Sequence, residues 1–136
     1  MRMATWLRIS AVVSLLLAVG HTLGGLKYWS PMGDNPVLQA MKSGRFDTMG
    51  VNRSYLDFYL GFGYSLSALF LMQSILLWQF SALARTAPGS LRPMIVAVAL
   101  ATAVAGGIAL RFIFPLPAVF LAVLLATLTA AYFAAR

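Results

Sequence analysis

The stretch LDFYLGFGYSLSALFLMQSILLWQF, residues 56–80, decides the fold. It holds one charge, Asp57, near its start, and it exceeds the ~20 apolar residues that ~30 Å of hydrocarbon requires. In lipid every backbone N–H and C=O must be satisfied within the protein, so an unpaired run of this kind is a helix. Three more runs, 9–26, 94–114 and 118–135, have the same character. The alternation in AVALATAVA, residues 97–105, imitates a strand, but its run is about twice the length of a barrel strand. The expectation is an all-α fold: a four-helix transmembrane bundle, up-down-up-down, forming one integral membrane domain over 1–136.

Composition agrees. Of 136 residues, 61% are hydrophobic and 10% charged, and the three acidic residues are all aspartates. That is too little polar surface for a water-soluble domain. The net charge of +7 comes from basic residues standing singly at the ends of apolar runs. They read as anchors toward lipid headgroups, and no cluster suits nucleic acid. With no cysteine and one histidine, thiol chemistry and bis-histidine haem are excluded, a metal site is poorly supplied, and no cofactor is expected.

Arg2 and Arg8 before the apolar run 9–19, with small residues near AVGH, imitate a secretory signal peptide. The apolar character continues to Leu26, giving about 27 Å of helix, so the segment is expected to remain as the first span.

Two connections, SALARTAPGSLRP at 81–93 and FPLP at 114–117, are short and call for antiparallel neighbours. The link from Lys27 to Tyr55 is long. Within it Asp34 or Asn35 caps a short interfacial helix opened by Pro36 and stopped by Gly44, with Val37, Leu38 and Met41 on one side. A weaker patch, RFDTMGV at 45–51, follows.

Basic residues near the span ends tie: Arg2, Arg8, Arg85, Arg92 and Arg136 against Lys27, Lys42, Arg45, Arg53 and Arg111. Arg111 falls inside a span, and the first span, flanked by Arg2 and Arg8, usually dominates. Both termini are therefore expected on the cytoplasmic side of a bacterial inner membrane.

Alternating spans bring His21, Asp57 and Arg111 to one membrane side, just under the headgroups. Ionisable groups at that depth find partners or serve a site. Ser10, Ser14, Ala18, His21 and Gly25 follow helical spacing and form a small, polar stripe that should face inward. His21 then hydrogen-bonds Asp57 or a backbone carbonyl, or works with Asp57 as a general acid or base; these two are the catalytic candidates. Arg53 stands one turn before Asp57 and offers a local pair. Tyr64 shares a face with Asp57 and Gly61, so the candidate ligand-binding set is His21, Asp57, Tyr64 and Arg111. The GxG of GFGYS, residues 61–65, sits within a helix and is no phosphate loop; Gly61 and Ser65 have helix-packing spacing. Tyr55 and Tyr59, like Lys27, Tyr28 and Trp29, read as interfacial anchors. Ala99, Ala103 and Gly107 form a smooth track that ends at Arg111, expected at a helix seam.

The segments GHTLGGLKYWSP, RFDTMGVNRSYLDFYLGFGYS and RFIFPLP resemble those of small bacterial four-span membrane proteins without an assigned activity. Gly25 and Lys27 are also similar to the glycine and lysine that end the first span of DoxX-type proteins. The membrane-embedded glutamate of small multidrug exporters is absent. The resemblance implies no substrate; the residues favour a binding or accessory protein for a lipid-like or small apolar ligand, with membrane lipids and a second copy of the chain as partners. The alternatives are a membrane enzyme using His21 and Asp57 on a lipid-like substrate, or a small oligomeric transporter.

Overall fold

The structure is a computed structural model that describes residues 2–134. The last residue of the fourth expected span, Ala135, and the Arg136 of the charge count lie outside the described residues, as does Met1. Helix α1 covers Arg2–Gly25, α2 Pro36–Ser43 and α3 Tyr55–Leu83. A single 3-10 turn, Gly89–Leu91, leads into α4, Arg92–Phe112, and α5 covers Pro115–Phe133. Between α2 and α3 lies an antiparallel hairpin of β1, Arg45–Thr48, and β2, Val51–Ser54. The fold is therefore mostly helical but not all-α; the hairpin replaces the weak patch expected at 45–51. Among the described residues, four helices are long and apolar enough to cross a membrane.

The expected spans are the helical regions, with shifted ends. Helix α1 begins well before Ile9 because Met3, Ala4 and Leu7 are buried and carry the helix past its apolar run. The short helix over 36–43 forms as its sequence indicates. Asn35 in extended conformation accepts hydrogen bonds from the Val37 and Leu38 amides at 3.0 and 3.1 Å, and Pro36 occupies the first helical position, where no N–H is needed.

The chain divides into two compact units. The first takes α1 up to Leu17 and everything from Phe70 onward. In it α1 and α3 run antiparallel, since residues rising along α1 meet residues falling along α3. Arg8 lies over the Trp78 ring, Ser74 donates to the Ala11 carbonyl at 2.8 Å, and Ser14 donates to the Phe70 carbonyl at 2.9 Å. Ser10 donates to Thr127 on α5 at 2.8 Å, while Gln73 reaches Thr102 on α4 at 3.3 Å. Small hydroxyls let helices approach closely and supply cross-helix hydrogen bonds. Leu7, Leu77, Leu91, Ile95, Leu124 and Leu128 fill the space between.

The second unit is Ala18–Leu69: the end of α1, the linking segment with α2 and the hairpin, and the start of α3. It holds most of the residues that sequence reasoning marks for chemistry.

Candidate functional site

Helix α1 ends in a tight reversal. Trp29 N–H bonds back to the Gly24 carbonyl at 3.0 Å, and Tyr28 and Trp29 both adopt left-handed backbone, φ 55° and 47°. Two consecutive non-glycine residues there are costly, on the order of 1–2 kcal/mol each. The reversal folds the Trp29 indole back onto the helix it has just left. Its Nε1–H donates to the His21 carbonyl at 2.9 Å, and its ring lies 4.9 Å from the imidazole, 5.1 Å from Tyr64 and 6.0 Å, edge-on, from Tyr59.

Glycines on both helices make this seat. A Cβ at Gly63 would come within 2.2 Å of the indole, and one at Gly25 within 2.7 Å. The glycines of LGGLKYW and LGFGYS thus form one receptor for one ring. Trp29, expected as an outward interfacial anchor, is turned inward.

Beneath the indole, His21 Nδ1 and the buried Ser67 Oγ share a hydrogen bond of 2.9 Å. The inward stripe on α1 is real: Ser10, Ser14, Ala18 and Gly25 are buried and His21 half-buried. Its partner is a serine deep on α3, about 15 Å of helix rise beyond Asp57. His21 and Asp57 therefore stand at different levels of the same unit.

Asp57 has a structural task of its own. Its Oδ2 accepts from the Ser54 amide at 2.8 Å while Ser54 Oγ accepts from the Asp57 amide at 3.0 Å. This reciprocal capping box starts α3, and the spacing SYLD was its signal in the sequence.

Beside that cap lies an open groove of about 370 Å³ between the hairpin and α3, lined by Thr48, Val51 and Arg53 and by Asp57, Phe58, Gly61, Phe62 and Ser65. Its shape follows from two periodicities. Asp57, Gly61 and Ser65 recur every four residues on α3, with Phe58 and Phe62 on the adjoining stripe. In the hairpin register Phe46 pairs with Arg53 and Thr48 with Val51, so these four share the strand face turned to α3. Nothing stands within 4 Å of a Cβ built at Gly61, which leaves the floor open.

No family model matches this chain, and no curated protein or solved structure does. The site's reading therefore rests on its own geometry.

Tyr64 and Arg111 do not line the groove. Tyr64 packs on Trp29. Arg111 belongs to the other unit, in the last turn of α4, where it is exposed with its guanidinium 5.4 Å from the Phe112 ring. A cation there complements the negative end of the helix dipole. Ala103 and Gly107 are exposed as well, so the small-residue track is not the packed face; α4 buries Ile95, Thr102 and Ala109 instead. Sequence reasoning missed Arg53 as a groove residue, together with Phe58 and Phe62, because it placed no strand beside α3.

Proposed function

We propose that this chain is a four-span protein of a bacterial cytoplasmic membrane, with its helices in up-down-up-down order and both termini inside, and that it binds a lipid-like amphiphile. The observation that carries the binding is the groove, in which two opposite charges, Arg53 and Asp57, adjoin an aromatic strip, Phe58 and Phe62, over an open glycine floor. Helix α3 has 29 residues, about 43 Å, against ~30 Å of hydrocarbon. Its surplus length supports a reading in which the first turns stand at headgroup level. The polar end of an amphiphile then meets Arg53 and Asp57 while its chain lies on Phe58, Gly61 and Phe62. Pockets that fix a ligand with a few polar groups and hold it by apolar area follow the same rule.

The binding role is favoured over proton-transfer chemistry by the separation of His21 from Asp57 and by the capping task of Asp57. The test uses a phospholipid with a pyrene-labelled chain, presented to purified protein in detergent. Gly61→Phe, which fills the floor, and Arg53→Gln, which removes the cation, are expected to weaken binding severalfold with unchanged helicity. Equal binding by the parent and both variants overturns the reading.

A further inference from the structure

We infer that the hairpin tip, residues 48–51, is a membrane-inserting element seated at the boundary between headgroups and acyl chains beside α3. The hairpin lies along α3, not away from it. Near its root, the Phe46 ring is 5.1 Å from Tyr55 and 5.8 Å from Phe58. At its tip, Thr48 and Val51 share the groove with Phe62 and Ser65. The hairpin therefore runs beside the first turns of α3, a helix long and apolar enough to cross a membrane.

Charge is graded from root to tip. Arg45 and Arg53 belong to the root half, Asp47 pairs with Asn52 just behind the tip, and Thr48, Met49, Gly50 and Val51 carry no charge. The face turned from α3 is polar and internally bonded: Arg45 donates to Asn52, and Asn52 donates to Asp47 at 2.8 Å.

Met49 is the decisive residue. It is fully exposed, and with φ 48° before Gly50 at φ 80° it occupies the first corner of a tight turn. That position favours Asn, Asp or Gly, which tolerate left-handed backbone. A long apolar side chain held there is covered by nothing among the described residues and gains nothing from water; in the acyl boundary it gains the burial it lacks.

The occupant is a bilayer and not a protein partner, because basic residues standing behind an apolar tip match phosphates lying above acyl chains. Depth is bounded by the strands' own edges. Unpaired N–H and C=O groups are not tolerated in lipid-exposed hydrocarbon, so the tip reaches the boundary and stops there.

The chain has no cysteine, so single labels can be placed freely. Met49→Cys and, on the outer face at the root, Arg45→Cys are labelled with the fluorophore NBD in nanodiscs of mixed zwitterionic and anionic phospholipid. Both positions are exposed, so neither change disturbs packing. The expected result is a blue-shifted label at 49, reduced by dithionite severalfold more slowly than free probe, and a label at 45 reduced nearly as fast as free probe. Free-probe rates at both positions overturn the inference, as does equal shielding at both, which would mean that the hairpin is buried whole. The outcome is independent of whether the groove holds a ligand.

Discussion

Trp29 and Gly63 test the second unit at the scale of single residues. An indole seated against Gly24, Gly25 and Gly63, hydrogen-bonded to the His21 carbonyl and flanked by two tyrosines, replaces much of what an apolar core supplies elsewhere. Trp29→Ala removes that filling and is expected to cost about 3–5 kcal/mol, the range for large aromatic truncations in packed sites. Gly63→Ala puts a methyl where the ring now stands and is expected to cost about 1–3 kcal/mol by overpacking. The pair is more informative than either variant. If the seat is one object, the cost of Gly63→Ala vanishes once Trp29 is Ala, and unfolding in mixed micelles gives a coupling near the whole single-mutant cost. Additive costs would show that the methyl is resisted by something other than the indole. The inward stripe through His21 was legible because helical spacing alone sets it. The seat was not: it depends on two aromatic residues in left-handed backbone, and Tyr28 and Trp29 after a span read as interfacial anchors.

Elements show the same division. The cap and stop of α2, Asn35-Pro36 and Gly44, were readable because each acts through its own local chemistry. The capping box of α3 was equally local, yet the charge of Asp57 drew attention to long-range partners instead. Its worth can be measured directly. Ser54→Ala removes the acceptor for the Asp57 amide and is expected to destabilise the start of α3 by about 1 kcal/mol. The loss should appear as faster amide exchange at residues 55–58 with little change beyond Phe70. Uniform acceleration along α3, or none, would contradict a local cap. The hairpin escaped reading for a further reason: its strands are four residues long and its turn opens with Met49, where turn chemistry predicts Asn or Asp. Its alternation, Phe46 and Thr48 against Val51 and Arg53, gains meaning only beside the aromatic stripe of α3.

For the molecule as a whole, the proposed orientation across the membrane turns on basic residues that have specific surroundings. Arg8 lies over the Trp78 ring near the end of α3, and Arg92 over the Tyr132 ring near the end of α5. Each therefore marks the level at which one helix begins and another ends. Of the opposing set, Lys42 lies over Tyr28 and within 3.7 Å of Asp34, and Arg45 is bonded to Asn52. These two are engaged in the folded link and are less able than free charges to hold a segment on the cytoplasmic side. Arg111, in the last turn of α4, counts against this preference. In the proposed topology the first span, preceded by Arg2 and Arg8, sets the direction and the short connections carry the alternation onward. Fusions of a cytoplasm-active fluorescent reporter at each terminus are expected to glow, and alkaline phosphatase inserted after Gly33 is expected to be active outside. Moving Arg2 and Arg8 to Gln removes the leading charges and should give a mixed population, with phosphatase activity falling as Arg111 and Lys27 come to dominate. A dark C-terminal fusion beside a bright N-terminal one would mean an odd number of crossings and would break the four-span reading itself.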